Sequence, residues 1–521
     1  MATNYTSKKL PLNSAERFKN SFSDTTPSIE YIFIGGHLAY ANESSPDSIV
    51  ETISNEKEVW DNMFAAKKIT ANDVEHVIPR VNWTANTKYR QYDDTIDLGD
   101  LITANVSQNL KPMYIITTAK NVYKCLSNNS TANSTVEPTG DYTTSNGVIS
   151  TADSYIWKYM FNVRSSNKFL TNDWIPTPTR SATASTLSDY SLDDTGVVEG
   201  ELTTVVIETG GTGYYHNVIT CSAFGTGCTI ITLANTTNVS ANMSITGTGI
   251  PVGAFISNLD SPNNKITLSS ATTANGGGAA SANNLSISTR IYFDGNGTLA
   301  AASATVSNGA ITKITVTTIG AGYTFANAII FGSGTNANAR CIIAPKYGHA
   351  KNPVKDLLAT NVMVASKIGE VDSTESGLIS VDTSFRQIGL LRNPHKYGVT
   401  TAANNSTANA VISQARTITL TAGSSYSLNE YVYQGASLGT ATAYGYVYSQ
   451  TSTSVKLTRT QGTFVVGASL TGTTSGVART IVSQTNPEFE PYSGDILYVE
   501  NAAKTDRADG QAENIKFVIQ F

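Results

Sequence analysis

The chain has 521 residues, of which 40% are hydrophobic and only 14% charged, with a net charge of -5; ordinary soluble proteins carry roughly 25% charged residues. That length accommodates two to four domains with cores of their own, and the mildly acidic balance removes the electrostatic drive toward nucleic acid or an anionic membrane. No secretory leader pattern opens the sequence and no apolar run approaches the ~20 residues of a membrane span, so the expectation is a protein made and kept in a cytosol, with Asn-x-Ser/Thr triplets arising from composition rather than glycosylation.

Taken in chain order, Asn13-Ser14-Ala15-Glu16 ahead of Phe18 and Phe22 predicts a short helix capped by Asn13. Glu30 to Ile34 is a compact apolar run closed by Gly35-Gly36, a strand and a turn. Pro46 opens the best helical pattern, in which Ile49, Ile53, Val59, Trp60, Met63 and Phe64 recur at mostly helical spacing among acidic residues. The segments His76 to Trp83 and Tyr89 to Asp94 are dense in aromatic rings and charge. They fit either a contact surface or an irregular loop whose rings pack on a framework while their polar ends stay wet. Lys111 to Ile116, Val122 to Leu126 and Ser154 to Val163 predict strands, the last too aromatic to sit outside a sheet.

From about Glu201 the character changes. No charged residue lies between Glu208 and Asp260, nor between Lys265 and Arg290, yet short apolar runs recur between Gly, Asn and Pro turns. Such spacing indicates an all-β module. An internal echo frames it: Thr204 to Tyr214 and Ile314 to Tyr323 each give a strand, a Gly-x-Gly turn and a Tyr. The glycines permit positive φ or close backbone approach, and Ser222 to Arg290 is expected to be one β unit set inside another. From Thr400 to Gln484, strands at Asn429–Gly435, Ala443–Tyr448, Ser454–Leu457 and Gly462–Gly467 predict a compact sandwich or barrel. Its tyrosine stripe suits either sugar stacking or aromatic cross-strand pairing. In the final run Ile515, Phe517, Ile519 and Phe521 alternate with Lys516, Val518 and Gln520, so the chain is expected to end on a core-facing strand, with Ile496 to Val499 as one candidate neighbour.

Chemistry finds little footing. The histidines His37, His76, His216, His349 and His395 show no metal-ligand spacing, and His76 in the Glu75-His76 pair fits a surface position. Cys125, Cys221, Cys228 and Cys341 lack the spacing of a metal knuckle and are expected as buried free thiols, with the state of Cys221 and Cys228 open. Neighbouring carboxylates such as Asp93-Asp94 would face opposite sides of a strand, which defeats shared acid/base work. The expectation is a protein that is not an enzyme and holds no cofactor or metal.

Five segments then resemble, in order, one known family: His76 to Trp83, Val122 to Leu126, Tyr155 to Phe161, Phe385 to Pro394, and Tyr492 to Asn501 with the closing strand to Phe521. Together they are similar to the baseplate wedge subunit of contractile-tailed, myovirus-type bacteriophages that forms a dimer within each wedge. The resemblance covers roughly residues 14 to 200, 346 to 398 and 486 to 521, and departs after Asn501, where Ala502-Ala503 replaces the basic and proline residues of the family. It implies a mainly β protein with a discontinuous β-sandwich framework and a few helices in its loops; the all-β modules read from composition have no counterpart in the family and are expected as inserts. The implied organisation is a first framework segment at 1–200, an inserted module at 201–345 with 222–290 nested inside, a second framework segment at 346–400, a second inserted module at 401–485, and a closing framework segment at 486–521. Pro79, Arg80, Trp83, Tyr155, Trp157, Phe385, Arg386, Ser493, Gly494 and Asn501 are the implied framework or interface residues. The resemblance also implies a homodimer, other wedge proteins of the same virion as partners, assembly in the host cytoplasm and residence in the tail baseplate. The Tyr- and Gly-rich inserts give the alternative expectation of a receptor- or glycan-binding tail protein, with glycan or decoration contacts made through them.

Overall fold

The strand Glu30–Gly35 is buried along its whole length, and that decides how one half of the protein is built. In the computed structural model, which describes residues 7–23, 29–144, 147–179, 190–191, 197–277, 284–369, 383–399, 411–507 and 512–521, this strand is central in a five-stranded sheet. The order is Val411–Ser413, Met63–Lys68, Glu30–Gly35, Ser384–Arg392, Asp495–Asp506. Because successive side chains point to opposite faces, Ile32 and Ile34 enter a core with Val362, Val364, Ile515 and Phe517, while Tyr31 and Phe33 meet Val59, Trp60 and Phe489 on the other side. The first core is shared with a second sheet, in which Asn361–Gly369 pairs with both Val74–Pro79 and Ala512–Gln520. The result is a β-sandwich with the helix Ile53–Asn62 laid on its outer face.

The same compact unit, Met1–Val77 with Thr360–Phe521, carries a closed barrel of Arg416–Leu420, Ser454–Gly462, Ala443–Gln450, Tyr431–Gln434, Ser469–Gly472 and Ala478–Thr485. Closure removes the exposed edges that short strands would otherwise leave. Ile418, Val432, Val447, Val455, Leu457 and Leu470 are fully buried inside it. The barrel begins and ends side by side, Thr417 opposite Thr485. It is also seated on the sandwich: Tyr448 stacks on Phe64 at 4.7 Å, and Arg459, held at φ 50°, donates to Asn62 Oδ1 at 2.9 Å and Glu58 Oε1 at 3.1 Å.

The other unit, Ile78–Ala359, joins three regions. An aromatic sheet runs Tyr190–Ser191, Ile156–Val163, Asn121–Ser127, Tyr114–Ile116, with Val148–Ser150 also on Ile156–Val163. A six-stranded sheet follows, in the order Leu202–Thr212, Thr335–Ile343, Ala326–Phe331, Arg290–Gly295, Thr298–Ser307, Ala310–Ala321. Its order is symmetric if the first, fourth and fifth of these strands form one repeat and the sixth, third and second form another. The sequence echo is the trace of that duplication. Tyr214 N–H donates to the Gly309 carbonyl at 2.9 Å and Tyr323 N–H to the Gly200 carbonyl at 3.1 Å. Each ring lies on a glycine of the other repeat: a Cβ on Gly334 would stand 2.4 Å from Tyr214 Cδ2, and one on Gly297 2.3 Å from Tyr323 Cγ. The third region is inserted within the first repeat, between Leu202–Thr212 and Arg290–Gly295, as two small sheets, Asn217–Thr220, Asn284–Ser288, Ser244–Thr246 and Ile230–Thr232, Lys265–Leu268, Ile256–Asp260, around a core of Met243, Ile245, Ile256, Ile266, Leu285 and Ile287.

Several expectations need correction. The first helix is Lys9–Ser21 and encloses Asn13; Pro11 is tolerated because the N–H groups of a first turn have no intrahelical acceptor. The second helix starts at Ile53, not Pro46, because Thr52 caps it by accepting from Asn55 N–H at 3.1 Å, and Met63 and Phe64 already belong to a strand. Residues 463–467 are not a strand. The closing strand pairs with Asn361–Gly369 rather than with the strand containing Ile496–Val499; the two face each other across the sandwich, where Tyr498 stacks on Phe517 at 4.6 Å. Phe521 is 37% exposed and rests against Phe18 at 5.3 Å, so the last core residue of that run is Phe517. The chain divides after Val77 rather than near residue 200, since residues 78–200 share their unit with residues 201–359.

Candidate functional site

In the unit Ile78–Ala359 the aromatic sheet and the six-stranded sheet meet over a group of buried ionisable side chains. Lys124 and Lys158 come from the centres of two neighbouring strands, Glu201 and Thr203 from the start of Leu202–Thr212 and the residue before it, and His349 and Asp356 from the segment that follows the duplicated sheet. All five titratable groups among them are nearly or fully enclosed. Lys124 Nζ lies 3.3 Å from Asp356 Oδ2 and 4.9 Å above the Tyr92 ring. Asp356 Oδ2 also accepts from Ala350 N–H at 2.7 Å. His349 Nε2 is 2.7 Å from Thr203 Oγ1 and 3.9 Å from Glu201 Oε1, and its ring meets Tyr92 edge-on at 4.8 Å.

Burial sets the charge states. Desolvation pushes the Glu201 carboxyl up to about 6, although Lys158 and Lys124 draw it down. It lowers Lys124 despite Asp356 beside it, and lowers Lys158. His349 falls well below its ordinary value, first through desolvation and then through the two nearby ammonium groups. The histidine therefore sits neutral among opposed charges. With Lys124 and His349 at 0% exposure, the group presents no open face to a substrate, and its chemistry is that of a clamp: ion pairs and hydrogen bonds between segments far apart in sequence.

The charged and aromatic segment Tyr89–Asp94 is part of the same joint. Tyr92 donates to the Ile343 carbonyl at 3.2 Å. Asp93 holds Arg340 through both oxygens, at 3.0 and 2.6 Å; Asp94 contacts the same guanidinium at 3.4 Å and accepts from Ile343 N–H at 3.1 Å. These two carboxylates converge instead of facing opposite sides, because the segment is not a strand there. Sequence reasoning misses Lys124, Lys158, Glu201, Arg340, His349 and Asp356 as a group. The available signal is a lysine at the centre of each of two apolar aromatic runs.

Of the residues implied by the resemblance, five fall in this unit. Pro79 is exposed, and its carbonyl accepts from Tyr114 Oη at 2.8 Å. Arg80 donates to Asn82 Oδ1 at 2.9 Å and the Thr171 carbonyl at 2.7 Å. Trp83 donates to Ser134 Oγ at 3.1 Å and packs on the cluster containing Tyr155 and Trp157, whose rings stack at 5.5 Å. The other five belong to the sandwich unit. Phe385 lies in its core; Arg386 holds Glu43 at 3.0 and 3.1 Å. Ser493 accepts from His395 N–H at 2.8 Å, and Gly494, at φ 74°, sits where a Cβ would meet the Arg392 carbonyl at 2.4 Å. Asn501 accepts from Gln387, which accepts from Asn62, each at 2.9 Å. His76 is buried rather than at the surface. Cys125, Cys221 and Cys341 are buried and Cys228 half-buried, none of the four in a disulfide.

Among the described residues, the concavities of the sandwich unit include two of different size. One, of about 40 Å³, is lined by His37, Arg386, Asn429, Tyr446 and neighbours. The other, of about 630 Å³, runs between residues 49–59 and 495–499. Among the described residues no group of three His, Cys, Asp or Glu side chains is placed to hold a metal ion, and no helix is long and apolar enough to cross a membrane. The chain matches no protein-family model and no curated protein.

Proposed function

We propose that this chain is a structural subunit of the baseplate wedge of a contractile phage tail, acting as a homodimer that holds neighbouring wedge proteins and transmits their rearrangement at contraction. No catalysis, cofactor or nucleic acid enters the proposal. The observation that carries it is the ordered set of five motifs, whose residues make framework bonds: Asn501 to Gln387 to Asn62, Ser493 to His395, Trp83 to Ser134. A protein that passes force between neighbours needs such cross-ties between distant segments, and the buried Lys124–Asp356 clamp serves the same end. Mass spectrometry and immunogold labelling of purified particles test the reading. The expected result is a stoichiometric tail protein labelled at the baseplate; a chain found only in infected-cell lysate and never in particles overturns it.

One observation favours a second reading, a glycan-binding tail protein. Tyr431, Tyr433, Tyr444 and Tyr446 form a half-buried row on the outside of the barrel, with Tyr431 at 5.2 Å from Tyr446 and 6.0 Å from Tyr444. Such rings can stack on sugars, although their edge-to-face packing also satisfies them against one another. Binding on a glycan array that is lost in Tyr433→Ala supports this reading, and a blank array removes it.

A further inference from the structure

Among the described residues the strand Asp495–Asp506 ends its sheet, so one backbone edge faces away from its neighbour and is a template for another strand. The segment before the second helix meets this strand where Asn501 Nδ2 donates to the Asp47 carbonyl at 2.8 Å. Thr52, itself extended, caps the helix, and the space between residues 49–59 and residues 495–499 measures about 630 Å³. That is the size of a ligand cleft rather than a packing defect. Large apolar side chains stand exposed along it among polar ones: Ile53 is 75%, Val50 66% and Leu497 40% exposed. The register slips between Leu390 and Leu391, leaving Leu497 unpaired in a bulge, a feature that re-aims a side chain next to a site.

We propose that this groove receives an extended segment of another protein, apolar at alternate positions and bearing lysine or arginine, which adds to the sheet beside Asp495–Asp506. Charge decides the occupant. Glu51, Glu56 and Asp495 line the groove, and no basic residue does. A second copy of the same chain is disfavoured, because edge-to-edge pairing would set Asp495 and Glu500 against their own kind, and Lys504 is already engaged by Asp506 at 2.7 Å. Main-chain hydrogen bonds to the open edge supply affinity, and the exposed apolar side chains select alternate side chains. The inference rests on the groove alone and not on the phage-tail reading.

The test uses the full chain and two acetylated octapeptides, one alternating lysine with valine and one alternating glutamate with valine, followed by hydrogen–deuterium exchange and fluorescence anisotropy. The lysine peptide is expected to slow exchange within residues 495–499 and to bind at least tenfold more tightly than the glutamate peptide. The surface variant Glu51→Lys/Glu56→Lys/Asp495→Lys is expected to invert that preference, and Leu497→Asp to abolish protection by either peptide. Equal binding of both peptides, protection elsewhere on the chain only, or protection that rises with protein concentration in the absence of peptide each overturn the proposal, the last by making a second copy the occupant.

Discussion

Lys124 and Asp356, 232 positions apart, form an ion pair whose side chains are 0% and 5% exposed. Removing one partner of a buried pair strands the other without water, at a cost of roughly 3–5 kcal/mol. Lys124→Met is therefore expected to lower the urea midpoint of the Ile78–Ala359 unit sharply. Lys124→Met/Asp356→Leu should recover part of the loss, short of all because Ala350 N–H then loses its acceptor. A double variant no more stable than Lys124→Met would show that the pair contributes little.

The same network gives two opposed pH dependences. The folded pKa of Glu201, about 6 against an ordinary 4.5, means the native state binds the proton more tightly; the associated stability, about 2 kcal/mol, is present below the unfolded pKa and lost as pH rises through about 6. His349 is held below its ordinary 6.5, so its contribution is present above 6.5 and lost as pH falls below it. Glu201→Gln should thus lose stability more steeply than the parent on acidification from about pH 6.5 to 4.5, and His349→Gln less steeply than the parent. Urea midpoints across that range read both slopes, and parallel curves for all three proteins would contradict the assignment.

Tyr323 occupies the space a side chain at Gly297 would need. Gly297→Ala is expected to cost about 1–3 kcal/mol through overpacking, and Tyr323→Ala in the same chain should relieve the clash. The double-mutant cycle checks it by thermal unfolding: a coupling energy near zero would mean the two residues do not meet.

Replacing residues 417–485 by a short glycine link is expected to leave the sandwich folded, because Thr417 and Thr485 are already neighbours. The deletion must begin after the strand Val411–Ser413, which belongs to the sandwich. It removes the Phe64–Tyr448 stack and the bonds from Arg459 to Asn62 and Glu58, so the shortened protein should melt lower than the parent but still cooperatively. Aggregation on expression would show that the barrel is needed for folding.

Individual strands are legible where local pattern decides them. Glu30–Gly35, Asn121–Ser127 and Ile156–Val163 stand out as apolar runs, and the Gly-x-Gly-Tyr echo marks two turns that the fold makes equivalent. Pairing is not legible. Ala512–Gln520 follows Asp495–Asp506 directly and still joins a different sheet, because its best apolar partner lies on Asn361–Gly369, and long-range choice leaves no local mark. Lysines at positions 124 and 158 signal buried partners, but nothing in the sequence points to Glu201, His349 or Asp356, whose meeting is a product of topology. Apolar spacing places the second helix too early, since it continues back to Ile49 while the capping oxygen sits at Thr52; a cap outweighs a weak stripe.

The central claim, a cross-tied structural subunit of a contractile tail, is tested most directly by a cryo-electron microscopy reconstruction of the purified particle. The account predicts two copies per wedge, with density at the baseplate for the sandwich, its barrel and the duplicated sheet. A reconstruction in which no baseplate density accepts this fold would contradict it.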